Sequence, residues 1–399
     1  MLSLEEAQAE LRARVAPAAD TDIEEIALAD ANGRFLARAL SARVDNPAFD
    51  NSAMDGYCFA IADLIANDFL LPLSGASRCG DAPGRLAPNT AMRIFTGAPL
   101  PTGANTVEIQ ENIKVEDGRI RVPRSISPGA NIRRRGEDYR AGDELMSAGR
   151  RLRVYDLALL ASAGQASVSS WRRPRALVAA TGDELVPPGT PLKPGQIHES
   201  NRMATLLLLR ELGVDARDGG VIRDDAKALR AWIGNARDYD FIVTSGGASV
   251  GDHDLVKQVF AEFGEIQFWK VKIKPGKPIA FGLIGGRTHF FALPGNPVSS
   301  LVTFKLFVEA AIYAWHRADW QLPQWPAVAA SDFRRHPGRT EFLRGRIETR
   351  DGMLVAQVLK GQGSHQLRAL ADTNALIRVE ADSSGFRAGE RVLIVPLQS

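Results

Sequence analysis

Residues 241–254 read FIVTSGGASVGDHD: an apolar run, a polar pair, two glycines, two small residues and a valine, another glycine, then two acids around a histidine. FIVTS has the length and β-branched content of a buried strand, and it runs straight into a glycine-rich turn. The surrounding sequence repeats this plan. ALVAA (176–180) predicts a strand entering TGDEL, ESNRMATLLLLRELG (199–213) a helix stopped by Gly213, and ARDGGVI (216–222) a second strand leading into RDD. DAKALRAWIGNAR (225–237) predicts another helix with Asp225 as its cap. Strands alternating with helices imply a parallel sheet covered on both faces, a doubly wound α/β/α unit. After it, IAFGLI and RTHFFAL read as two strands around a glycine turn, and PGNPVSS (294–300) as the start of a long apolar helix capped by Ser299 or Ser300.

The flanks read differently. Residues 85–135 and 341–397 carry short alternating runs broken by DG, PG and SG pairs, as in RIETRDGMLVAQV, where Asp351 and Gly352 mark a hairpin. WQLPQWP (320–326) reads as a linker, and WRRPR (171–175) as a second boundary. The expected fold is multidomain α/β plus β. An elongated helical and β region (1–48 with 136–172) and a small β domain (49–135) precede the central α/β domain (173–326), and a β-barrel-like domain (327–399) follows it.

A chain of 399 residues predicts roughly two to four domains. Forty-nine basic against forty-seven acidic side chains give a net charge of +2, too small to argue for a nucleic-acid partner. With only Cys58 and Cys79, neither a disulfide framework nor a cysteine zinc site is expected. MLSLEEAQAELRARV lacks a signal-peptide pattern and predicts a helix boxed by Ser3 and Glu6, and no stretch reads as a membrane span. A cytoplasmic protein without a membrane partner is expected.

In a doubly wound sheet, ligands bind outside the carboxyl ends of the strands. Three such ends carry acids: Asp183 and Glu184, Asp224 and Asp225, and Asp252 and Asp254. Capping alone accounts for Asp225, while His253 reads as a polar loop residue. TSGGASVG can turn backbone N–H groups toward an anion, but it matches neither a P-loop nor a dinucleotide fingerprint. FWKVKIKPGKP (268–278) holds four lysines and no acid. Lys274 and Lys277 flank Pro275 and Gly276 in a tight turn, where two ammonium groups can receive an oxyanion. Acids beside lysines at one sheet edge fit a phosphorylated or oxyanionic ligand with Mg²⁺.

FDNSAMDGY (49–57), IFTGAPLPTGAN (94–105), RRRGEDYRAGD (133–143), TGDEL, TSGGASVGDHD, KIKPGKP, LPGNPVSS (293–300), RTEFLRG (339–345) and GQGSHQL (361–367) together resemble the molybdopterin molybdenumtransferases, the MoeA and gephyrin E-domain family. The resemblance covers nearly the whole chain in family order. It implies insertion of molybdenum from molybdate into adenylylated molybdopterin, with Mg²⁺-dependent release of AMP, and a molybdopterin adenylyltransferase as donor. It places the pterin and its phosphate at Thr181, Gly182, Ser245, Gly246, Gly247, Ser249, Pro294 and Pro297. Asp252, Asp254 and Glu184 are then the metal partners, with Asp224 nearby. Molybdate falls to Lys274, Lys277, Pro278, Arg344 and Ser364. Family members are homodimers with sites between subunits, which would bring Asp55, Thr96 and Asp138 to the cleft from the partner chain.

Ala248, Cys58 and Asn105 depart from the family pattern, and only Asn105 removes a charge. Two other readings compete. A receptor-clustering scaffold is disfavoured because no fused adenylyltransferase domain or long linker is present. The adenylyltransferase itself would lack the SAMDGY and GQGSH regions.

Overall fold

The computed structural model describes residues 1–236, 238–246 and 255–397. At its centre four parallel strands lie side by side in the order Asp215–Ile222, Arg175–Thr181, Phe241–Ser245 and Thr288–Leu293. Two antiparallel strands, Pro278–Ile284 and Gly264–Lys270, continue the sheet, so it is mixed and not wholly parallel. The glycine turn after Ile284 reverses the chain as a hairpin, which a parallel crossover could not do in so few residues. Every residue of Phe241–Ser245 and Thr288–Leu293 is buried, as strands covered on both faces require.

Side-chain alternation divides the core into two layers. Ala176, Val178, Phe241 and Val243 face the helices Asn201–Glu211 and Pro297–Trp315, whereas Leu177, Ala179 and Ile242 face Ala226–Asn235 and Leu255–Ala261. Asp225 caps its helix, accepting from the Ala228 N–H at 2.7 Å.

The helix Pro297–Trp315 is long and apolar enough to cross a bilayer by length and hydropathy, contrary to the sequence expectation. It is a core helix instead, with 78% of its apolar window buried inside the protein. A π turn, Phe304–Val308, interrupts it. Neither Ser299 nor Ser300 caps it. Asn296 is the N-cap without a side-chain bond, and Pro297 takes the first helical position, where its missing N–H costs nothing.

The first helix, Leu4–Arg14, has the expected box of Ser3 and Glu6. Its Leu4, Ala7 and Leu11 are buried in the central core, and the Gln8 side chain donates to the Leu306 carbonyl at 2.9 Å. This helix of the N-terminal region therefore packs on the α/β unit through one buried apolar stripe.

The elongated region is a ladder of short antiparallel pairs. Ile23–Ala27 joins Ser167–Trp171, Leu40–Ser41 joins Glu144–Met146, and Asn51–Ser52 joins Ile132–Arg133. Beyond it a six-stranded sheet runs in the order Thr106–Ile109, Gly56–Phe59, Ala91–Ile94, Leu70–Ser77, Arg119–Arg121 and Lys114–Glu116.

At the other end, Thr340–Arg350, Met353–Val358, Trp325–Ala329, Arg391–Pro396 and Ala375–Val379 close into a barrel, because the last pairs back onto the first. The hairpin at Asp351 and Gly352 forms as expected. WQLPQWP is more than a linker: Trp320 is buried and donates its indole N–H to Glu309, and Trp325 opens a barrel strand.

Candidate active site

The strand Arg175–Thr181 is followed in space by Asp215–Ile222 on one side and by Phe241–Ser245 on the other. Strand order therefore reverses between the carboxyl ends of Arg175–Thr181 and Phe241–Ser245, and such a crevice is where open α/β sheets take ligands. Thr181, Gly182, Ser245 and Gly246 stand at these two ends. Gly246 has φ +94°, and a Cβ there would lie 2.5 Å from Thr181 Oγ1 and 2.9 Å from the Thr181 carbonyl oxygen. The two chain ends pack backbone to backbone, and only glycine allows it. The Gly246 N–H donates to the Leu293 carbonyl at 3.0 Å, which brings in Pro294 and Gly295 from the next parallel strand. Gly247, Ser249, Asp252, His253 and Asp254 lie outside the described residues.

Acids gather beside this crevice. The Asp224 N–H donates to Asp183 Oδ1 at 3.3 Å, and the Glu184 carboxylate folds back against Gly182. Desolvation, with the charges of Asp183 and Glu184, holds the Asp224 carboxyl above the usual carboxylate range. Among the described residues no three His, Cys, Asp or Glu side chains are grouped to hold a metal ion. The carboxylates suit Mg²⁺ nonetheless, since that ion takes one or two of them together with substrate phosphates.

A second set of groups converges on the start of the helix Pro297–Trp315. The Val298 N–H, an orphan donor of its first turn, donates at 3.1 Å to the carbonyl of Ser364 from the last domain. The turn Lys274–Lys277 lies against the same helix: Gly276 has φ +100°, and a Cβ there would meet Thr303 Cγ2 at 2.5 Å and the Ser299 carbonyl oxygen at 3.5 Å. The Lys274–Pro275 peptide is cis. Lys277 is exposed, and Pro278 begins the next sheet strand.

Lys274 is not a free ammonium. Its Nζ lies 2.7 Å from Glu341 Oε1, and Ile273–Lys274 pairs in parallel with Thr340–Glu341, joining the α/β unit to the barrel. Arg344, on the same barrel strand, is 1% exposed. Its Nη2 donates to the Gly361 and Gly363 carbonyls at 2.8 and 3.2 Å, while its buried Nε has no partner. Burial lowers its pKa, so an anion there would be doubly favoured, by charge and by the unused donor.

Three residues escaped the sequence reading. Asn201 donates to the Gly295 carbonyl at 2.8 Å and ties a helix start to the crevice. Gln362 holds Arg344 by two backbone bonds of 3.0 Å. Glu341 occupies Lys274. Gln362 and Glu341 stand within motifs quoted above, so the signal was present, but only their partners reveal the roles.

Asp55 and Thr96 form a unit of their own: Asp55 Oδ1 accepts from the Thr96 N–H at 2.7 Å and from its hydroxyl at 2.8 Å. Those bonds, backbone first, hold the Asp55 carboxyl below its ordinary range. Asp138 accepts from Asn46 Nδ2 at 3.1 Å. These contacts all stay within the N-terminal half of the chain. Cys58 is buried, whereas Cys79 is exposed and donates to the Thr96 carbonyl.

Three described families match in succession: "MoeA N-terminal region (domain I and II)" over residues 2–164, "Probable molybdopterin binding domain" over 177–314, and "MoeA C-terminal region (domain IV)" over 326–397. A molybdopterin molybdenumtransferase of Haemophilus influenzae is 38% identical, across 99% of this chain and 98% of its own. The chain belongs to the MoeA family. A Nostoc molybdopterin molybdenumtransferase is 35% identical over 94% of this chain and 89% of its own. The crystal structure of the MoeA protein from Pyrococcus horikoshii OT3 superposes with a TM-score of 0.84 at 29% identity, covering 99% of this chain and 100% of that one. Membership makes this MoeA chain a transferase enzyme of molybdenum cofactor biosynthesis. Its MoeA fold is a mixed-sheet central unit with a closed five-stranded barrel beyond it.

Proposed function

We propose that this MoeA-family chain transfers molybdenum from molybdate to adenylylated molybdopterin and releases AMP in an Mg²⁺-dependent step. The observation that carries the reading is the buried Arg344, its Nε unused, bonded to the loop whose Ser364 carbonyl meets the start of the helix Pro297–Trp315, against which the turn carrying Lys277 packs. Molybdate is a tetrahedral dianion, and this combination of two cationic side chains with a helix N-terminus suits it.

In this reading the crevice of Thr181, Gly182, Ser245 and Gly246, extended by Gly247, Ser249, Pro294 and Pro297, binds the pterin and its phosphate. Backbone N–H groups beside Gly246 cradle the phosphate, because no Cβ blocks the approach. Lys274, Lys277, Pro278, Arg344 and Ser364 hold molybdate next to it. Glu184, Asp252 and Asp254, with Asp224 beside them, would hold Mg²⁺, which neutralises charge at the phosphoanhydride. Asp55, Thr96 and Asp138 enter from the partner subunit of a homodimer. The Asp55–Thr96 pair keeps Asp55 ionised, able to accept a hydrogen bond or orient water. A molybdopterin adenylyltransferase supplies the substrate in the cytoplasm. The four domains follow the boundaries given above.

The test is to mix purified protein, adenylylated molybdopterin, Mg²⁺ and molybdate. AMP release stimulated by molybdate, together with cofactor that activates an apo-molybdoenzyme, is the expected outcome. AMP release indifferent to molybdate would sink the reading.

A further inference from the structure

Glu341 is a carboxylate with 5% side-chain exposure, at the join between the α/β unit and the barrel. Burying such a charge is costly unless cations balance it. Its balance comes from Lys274 at 2.7 Å and from Arg335, itself 7% exposed, at 3.6 Å. The Lys274 side chain is 49% exposed, so its ammonium is shared between the buried carboxylate and the open turn. An ammonium has three donors, and Glu341 takes one of them. Arg344, three residues along the strand, also feels the Glu341 charge.

We propose that Glu341 is a built-in counter-anion of the lysine turn: it fixes the Lys274 ammonium and, by its opposing charge, weakens the hold of the turn on a tetrahedral oxyanion. The proposal rests on the assignment of the turn as the oxyanion site. Glu341 is thus a positioning residue acting through Lys274. Its consequence is an exchangeable oxyanion, which a site that must surrender molybdate to another ligand requires. Lys277, Arg344 and the helix start would otherwise combine with an unopposed Lys274 into a trap.

The experiment is equilibrium binding of molybdate and of tungstate to the full-length protein and its variants, without nucleotide, with thermal unfolding run in parallel. Glu341→Gln preserves shape and removes the charge. It is expected to bind the dianion on the order of tenfold more tightly. General structural damage lowers affinity, so a gain separates the two roles. In a Lys274→Met background the same change should yield much less, because the two residues act as one unit. Glu341→Asp keeps the charge but withdraws it from Lys274, so its affinity is expected to lie between that of wild type and Glu341→Gln; it also serves where Glu341→Gln does not fold. A folded Glu341→Gln that binds equally or less tightly overturns the proposal, as does a folded Glu341→Asp that binds no more tightly than wild type. If wild type binds neither oxyanion, or if Lys277→Met leaves binding untouched, the oxyanion site itself is wrong.

Discussion

Gly246 and Thr181 close the floor of the switch-point crevice by direct backbone contact, with no room for a methyl group between them. A Cβ on residue 246 would press on both the hydroxyl and the carbonyl oxygen of Thr181, and the positive φ adds strain. Gly246→Ala is therefore expected to cost about 1–3 kcal/mol. Urea unfolding measures that loss. Pterin-nucleotide binding should fall further than stability alone predicts, since the crevice must open to admit the side chain.

Arg344 ties the loop of Gly361 and Gly363 to the barrel wall while leaving Nε free. Arg344→Met strands two carbonyls that now accept from a charged donor, at a cost of about 1–3 kcal/mol. Arg344→Lys keeps a cation but cannot span both carbonyls and the vacant direction. Both variants should lose oxyanion binding, and Arg344→Met should lose more stability. Tungstate titration beside thermal unfolding separates the two losses.

Two histidines set an acid limit on the fold. His289 is stacked on Phe241; one ring nitrogen accepts from the Ala16 N–H at 3.0 Å and the other bonds the Asp240 carbonyl at 2.9 Å, which fixes a neutral tautomer. Burial pushes its pKa down to about 4, and the same holds for His316 beneath Phe35. The unfolded chain takes up protons near the ordinary value of about 6.5 while the native state does not. Stability is thus full above about pH 6.5 and falls as pH drops toward 4, by roughly 3 kcal/mol per histidine. His289→Gln should flatten that fall in pH-dependent denaturation curves.

The sequence made the central sheet legible because its strands are short apolar runs ended by glycine-rich turns, and buried parallel strands have no other pattern. What the first helix packs against was not legible, because an amphipathic stripe tells that a helix packs, not against what; Gln8 reaching the Leu306 carbonyl is a contact across most of the chain. The helix cap was misread for a local reason: two serines outweighed the proline before them. At the site, motifs named Lys274 and Arg344, but a string cannot show that Lys274 is already engaged by Glu341 or that Arg344 spends its guanidinium on two carbonyls. Pairings between distant segments carried that information.

The Asp224 carboxyl gives a pH handle on the metal reading. Desolvation and the charges of Asp183 and Glu184 raise its pKa, so it binds a proton more readily in the fold than in the unfolded chain. Such a group stabilises the fold as pH falls through its raised value and opposes it once ionised. A divalent cation reverses the balance, because it favours the ionised form. Mg²⁺ should therefore protect the protein against unfolding at neutral pH and lose that effect as Asp224 protonates, at a pH above the usual aspartate range. Asp183→Asn removes one of the repelling charges and should move both the Mg²⁺ effect and the acid limb of AMP release to lower pH. Thermal unfolding with and without Mg²⁺ across pH 4 to 7.5, a range chosen to bracket ordinary carboxylate and neutral conditions, measures the shift. An acid limb that stays put in Asp183→Asn would remove Asp224 from the cation site.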